Sequence, residues 1–192
     1  MKPLYHFIVQ VSQRVNETKK IGDIEIYIDT KFNEFEHRVM QGVVVGAPYK
    51  YNTGVEEGDT LFFHHHVVIT PQLVDKDHDL YQVLYSPDGG FSSQAYAVKK
   101  KDTGEVLALG DWVFLEPIRP EEKLKSDLLE IVSFETPRNE KGKIKYASDK
   151  IKEEGLEIGD TVYFQKDADY EMLIDNQTLW RMLVQHLMVV EK

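Results

Sequence analysis

The chain has 192 residues, 42% of them hydrophobic, and a formal net charge of −10. That length holds one large domain or two small ones, and the negative charge argues against a phosphate-tracking surface and so against nucleic-acid binding. With no cysteine, disulfides, thiolate metal sites and cysteine nucleophiles are excluded. No run approaches the roughly 18 apolar residues of a membrane span. Met1 to His6 carries no apolar signal-peptide core, so the expected setting is a reducing cytoplasm.

In chain order the pattern is strand after strand. Phe7-Ile8-Val9-Gln10-Val11 opens the chain as a β-rich run. Gln41-Gly42-Val43-Val44-Val45 and Thr60-Leu61-Phe62-Phe63 follow, then Ala95-Tyr96-Ala97-Val98, all short, rich in Val, Ile, Tyr and Phe, and bounded by Gly, Pro, Asn and Asp. Asp102-Thr103-Gly104-Glu105 predicts a hairpin turn into Val106-Leu107-Ala108-Leu109. Trp112-Val113-Phe114-Leu115 starts the second half and Leu187-Met188-Val189-Val190 ends it. Helix signals are weak, confined to a turn or two over 120–129 and over 176–183.

The order repeats. Gly54-Val55-Glu56-Glu57-Gly58-Asp59-Thr60-Leu61-Phe62-Phe63 matches Gly155-Leu156-Glu157-Ile158-Gly159-Asp160-Thr161-Val162-Tyr163-Phe164 at six of ten positions, 101 residues on. Gly42 and Gly142 precede the two copies at nearly equal distance, and both halves begin and end on β-rich runs. Four features in register predict a duplication, with domains at 1–100 and 101–192 and the boundary near Lys100. In Gly58-Asp59 and Gly159-Asp160 the glycine supplies positive φ and the aspartate bonds its own backbone, so each reads as a turn feeding a strand. Several short strands in about 95 residues predict an all-β fold of two small barrels, closure being one way to remove exposed edges.

Between the first strand and the glycine-led strand, each half carries a long connection, about 16–40 and about 119–140. Connections this long in a small domain are functional or disordered. The first holds Ile24, Ile26 and Ile28 among charges; the second holds Leu128, Leu129, Ile131 and Val132. Each cluster suits docking into a partner's groove. The alternation Ile24, Ile26, Ile28 equally suits an ordinary strand with one buried face, and both readings stand.

This order of features resembles the GroES-like co-chaperonin family. Lys2-Pro3-Leu4 with Phe7 to Val11 looks like that family's opening strand. Thr18-Lys19-Lys20 and Gly22-Asp23-Ile24-Glu25-Ile26 lie where its mobile loop carries a glycine and an apolar triplet. Gly42-Val43-Val44-Val45-Gly46 is similar to its glycine-led strand, and Val55 to Phe63 to its Gly-Asp strand. The second half repeats this last run as Leu156 to Phe164, and 175–190 resembles the closing strands. The resemblance implies two tandem GroES-like β-barrels, a homo-oligomeric ring, and docking on the apical domains of a chaperonin through the seven residues named above. Tandem chains of this kind occur among chloroplast and virus-encoded proteins; the divergence here looks more like the viral kind, which places the protein in a host cytoplasm. The partner's nucleotide cycle would release the cap, so no cofactor is expected. The alternative is a structural or virion-assembly protein that keeps the domain and its oligomerisation but not chaperonin binding.

Two other chemistries find residues in the sequence. His64-His65-His66 offers a metal reading, with His64 and His66 converging as alternate residues of a strand and Asp75, Asp77 or His78 as further ligands; the solvated strand end Gln165-Lys166-Asp167 stands at the matching place, and no metal is expected. Ser86-Pro87-Asp88-Gly89-Gly90 reads as a turn, without the strand-turn-helix context of a nucleophile elbow. There is no phosphate loop and no dinucleotide fingerprint, so the chain is not expected to be an enzyme. Tyr49, Tyr51, Trp112 and Trp180 read as core or rim aromatics, given the acidic charge.

Overall fold

A computed structural model describes residues 2–12, 18–22, 24–27, 38–69, 73–87, 92–118 and 140–191. The chain divides into two compact units, Met1–Trp112 and Val113–Lys192. Both are built of antiparallel strands, which bears out the all-β class.

The first unit contains β1 (Phe7–Gln10), β2 (Thr18–Ile21), β3 (Ile24–Tyr27), β4 (Gln41–Gly46), β5 (Thr60–Phe63), a one-turn helix α1 (His66–Ile69), β6 (Leu73–Asp75), β7 (Leu80–Val83), β8 (Ala95–Lys99) and β9 (Val106–Ala108). Its main sheet runs β6-β7-β1-β4-β5-β8-β9, and β2 and β3 form a separate pair. The second unit's sheet contains β10 (Trp112–Pro117), β11 (Lys141–Ala147), β12 (Thr161–Phe164), β13 (Tyr170–Ile174), β14 (Gln177–Leu183) and β15 (Leu187–Glu191), with α2 (Asp149–Glu153) between β11 and β12. Its order is β13-β14-β10-β11-β12-β15.

Taken as ranks along the chain, with the β2–β3 pair set aside, both sheets follow one order, fourth, fifth, first, second, third, sixth; the first unit then adds β9. The irregularities repeat as well. The first and glycine-led strands slip register between Ile8 and Val9 in one unit and between Phe114 and Leu115 in the other. The Gly-Asp strand slips between Phe62 and Phe63, and again between Tyr163 and Phe164. Bulges re-aim a strand and increase its twist, so their recurrence fixes equivalent side chains on equivalent faces.

Among the described residues the β6 and β9 ends of the first sheet are not joined, nor are the β13 and β15 ends of the second. The sheets therefore stay open, where the strand count had led us to expect closed barrels. The expected hairpin at Asp102 to Glu105 joins β8 to β9 and lies within the first sheet. The helical turn expected over 176–183 is instead strand β14: Asp175 and Asn176 both take positive φ (50° and 62°), the geometry of a two-residue hairpin turn, and Met172↔Leu179 and Tyr170↔Arg181 pair across it. The α2 helix was not foreseen; Ser148 caps it, its Oγ accepting the Ile151 N–H at 3.4 Å.

Each core follows from strand alternation. Phe7, Val9 and Val11 point inward with Val44, Leu61, Phe63 and Val83; Val113, Leu115, Ile144, Val162, Phe164 and Trp180 do so in the second unit. Trp112 and Trp180 are buried, as core aromatics should be, while Tyr49 is exposed. Buried Arg181 lays its guanidinium 4.6 Å from the ring centre of its cross-strand partner Tyr170, an arrangement that offsets part of the cost of burying charge. No helix among the described residues is long and apolar enough to cross a membrane.

Candidate functional site

The Gly-Asp turn is the most closely determined feature that the units share. Val44 N–H donates to Asp59 O and Gly58 N–H donates to Val44 O, both at 2.8 Å; Ile144, Asp160 and Gly159 make the same two bonds at 2.8 Å. Gly58 and Gly159 sit at φ +93° and +100°, where a side chain is strained. The aspartate closes the turn from within: Glu56 N–H donates to Asp59 Oδ2 at 2.8 Å, and Glu157 N–H to Asp160 Oδ2 at 3.0 Å. The copies then diverge. Asp59 is fully buried and also receives Lys100 Nζ at 2.6 Å and Lys101 N–H at 3.0 Å. Burial pushes its carboxyl up, but the Lys100, Glu56 and Lys101 hydrogen bonds outweigh that and hold it below the usual aspartate value. Asp160 is partly exposed.

The second unit carries surface ties on residues that the first replaces at matching positions. Lys141 Nζ donates to Tyr163 Oη at 2.9 Å and to Glu191 at 2.8 Å, and Tyr163 donates to Glu191 at 3.0 Å. Gln41, Phe62 and Lys99 occupy those places in the first sheet. On the same strand as Lys141, Lys145 Nζ donates to Glu116 Oε1 at 2.7 Å, Gln177 Nε2 donates to that oxygen at 2.9 Å, and these bonds hold the Glu116 carboxyl below its ordinary value.

Of the residues expected to dock a partner, Ile24 and Ile26 lie on β3; Ile28, Leu128, Leu129, Ile131 and Val132 fall outside the described residues. The segment forms a hairpin, with Ile21 paired to Ile24 and Lys19 to Ile26, turned by Gly22 at φ +63°. Ile24 is 67% exposed, so a strand forms but the side chain of Ile24 is not on a buried face. Other exposed apolar side chains include Met188 (59%) and Val189 (56%) on β15 and Leu173 on β13, the two end strands of the second sheet among the described residues.

The three histidines converge, though by a different route from strand alternation. Strand β5 ends at Phe63, and His64 and His65 form a turn that leads into α1 at His66. Their ring centres lie 4.3–4.5 Å apart in pairs, His64 stacked on His65 and His66 edge-on to both. One ring nitrogen from each falls within 4.8 Å of the others. Asp75, Asp77 and His78 do not join them: Asp75 accepts from His78 Nδ1 at 2.8 Å and from the Asp77 N–H at 2.9 Å, at the separate β6–β7 turn. These clusters are a charge-closed turn, an apolar hairpin and an imidazole triplet. No protein-family model matches the chain, and no curated protein matches it either.

Proposed function

We propose that the chain is a co-chaperonin-like protein made of two GroES-like domains, which assembles into a homo-oligomeric ring in a cytoplasm and caps a chaperonin without catalysing a reaction itself. The observation that carries this reading is Ile24, two-thirds exposed on a two-stranded hairpin separate from the main sheet. The repeated six-strand order, in the sequence order that resembles that family, supports it. Burying about 100 Å² of one such side chain yields roughly 2–3 kcal/mol at about 25 cal/mol per Å², and ordering the segment consumes much of that. One hairpin binds weakly; a ring of them binds usefully through effective concentration. The test is co-purification of the full chain with a GroEL-like chaperonin, with and without nucleotide. Nucleotide-dependent capture is expected, and its absence at tens of micromolar overturns the reading.

A second reading, an assembly or virion-associated protein without chaperonin binding, is favoured by one observation. Strand β15 ends its sheet with Met188 and Val189 exposed, and an apolar sheet end is a template for pairing with another chain. Oligomers that ignore chaperonin would select it.

A further inference from the structure

The fold does not require histidine at the turn after β5. The second unit leaves β12 through the same two backbone hydrogen bonds, although Asp167 takes positive φ where His66 begins α1. His64 N–H donates to Gln94 O at 3.0 Å and Val67 N–H closes the turn on His64 O at 3.0 Å; Gln165 N–H donates to His186 O at 2.9 Å and Ala168 N–H closes on Gln165 O at 3.2 Å. Gln165-Lys166-Asp167 make that turn without an imidazole. Three consecutive imidazoles with their rings packed together therefore have a reason other than backbone geometry.

We propose that His64, His65 and His66 form a binding site for one divalent transition-metal ion of the zinc or nickel class. Imidazole nitrogen suits these ions and no thiolate competes for them in this chain. Tetrahedral ligands at about 2.1 Å from zinc are about 3.4 Å apart. Nitrogens already within 4.8 Å of one another need only side-chain rotation to reach that spacing. Burial grades across the triplet: His65 is 5% exposed, His64 half-buried and His66 exposed. The ion thus gains one ligand fixed by packing and keeps an open side for water, the arrangement of a three-ligand site. The His66 N–H donates to His64 Nδ1 at 3.1 Å, and this bond selects the tautomer whose lone pair lies on Nδ1. An ion at that nitrogen takes the place of the N–H, which stands at an exposed residue where water can satisfy it. The net charge of −10 raises the local concentration of cations.

The experiment is calorimetric titration of the tag-free full chain with zinc chloride, and with cobalt(II) as a spectroscopic probe. One zinc per chain is expected, with cobalt bands of low-coordinate nitrogen ligation and a zinc-dependent rise in melting temperature. Removal of an outer-shell partner already weakens metal sites about 10- to 100-fold, so His66→Gln and His64→Gln should each cost at least that. Because His66 is exposed, His66→Gln decides the matter even where His64→Gln does not fold. Asp75→Asn, at the separate carboxylate–imidazole pair, should leave zinc affinity unchanged. No zinc uptake, or uptake unaltered by His66→Gln, overturns the proposal, as does uptake abolished by Asp75→Asn alone.

Discussion

Lys100 places its ammonium 2.6 Å from the carboxylate of Asp59, 41 residues earlier in the chain, and the same ammonium also donates to Gly54 O at 2.9 Å. The residue that follows β8 thereby clamps both ends of the Gly54–Asp59 turn. The carboxylate is fully buried while the Lys100 side chain keeps 20% exposure. Breaking a fully buried pair costs about 3–5 kcal/mol because one charge is left without compensation. The partial exposure of Lys100 lowers this, so Asp59→Asn should cost about 2–3 kcal/mol in urea unfolding. Asp160→Asn, at the partly exposed equivalent, should cost about 1 kcal/mol, the worth of an ordinary hydrogen bond. Equal losses at both positions would show that the clamp adds nothing.

The same pair sets an acid dependence. Asp59 has a folded pKa below its unfolded value, so its contribution is complete above about pH 4 and is lost as the pH falls through the lower folded value. The stability gap between the native chain and Asp59→Asn should therefore be constant from pH 5 to 7 and shrink below pH 4. The comparison cancels the other carboxylates. A gap that widens in acid would mean that burial, not the Lys100 bond, governs the group.

How much of this was legible beforehand depends on the range of the interaction. Gly42, Gly58 and Asp59 repeat at Gly142, Gly159 and Asp160 because each answers a local backbone demand, and local demands leave a mark in the sequence. The alternation of Ile24 and Ile26 allowed β3 as one of two readings, but not the exposure of Ile24. Lys100 left no such mark, because its partner is 41 residues away and one lysine in a Lys-Lys-Lys run looks like the next. The strand pairing β7–β1 and β14–β10 was equally hidden, since register between distant strands is set by packing rather than by any one residue. The Asn176 turn misled because Asn-Gln-Thr-Leu carries no strong strand signal until Asp175 and Asn176 are seen at positive φ. The histidines were visible as a motif, but their convergence depends on a turn that only the backbone reveals.

The glycine-led strand passes too close to its neighbour to carry a side chain. A Cβ at Gly42 would stand 2.9 Å from Gln10 O and 3.2 Å from Val9 Cβ; at Gly142 it would stand 2.9 Å from Leu115 Cβ and 3.2 Å from Glu116 O. These are backbone and Cβ atoms that cannot swing aside, so the strands themselves must part. Overpacking of this kind costs about 1–3 kcal/mol. Gly42→Ala and Gly142→Ala should each lower the denaturation midpoint accordingly, and a neutral outcome at either would show that the first strand shifts freely.

Ile24 offers a clean test of docking because its own side chain is two-thirds exposed. Surface substitutions away from special features stay within about 0.5 kcal/mol, so Ile24→Lys should melt like the native chain while losing chaperonin capture. Within a ring the loss multiplies over every hairpin, and the expected drop is more than ten-fold. Leu129→Lys probes the second long connection in the same assay. Unchanged capture by both variants would mean that the contact lies elsewhere.

Assembly can be separated from docking at β15. In the first unit β8 is covered by β9, whereas its equivalent β15 ends its sheet. If β15 joins copies of the chain, a charge there should block pairing, as lysines do on natural sheet edges. Sedimentation at micromolar concentration should then show the native chain as an oligomer and Met188→Lys/Val189→Lys as the 22.3 kDa chain, still folded but without the concentration-dependent rise in melting temperature that assembly gives. A native chain that sediments as a monomer would remove the ring and the assembly protein together, whereas an oligomer that survives the double substitution would move the interface off β15 and leave the ring standing.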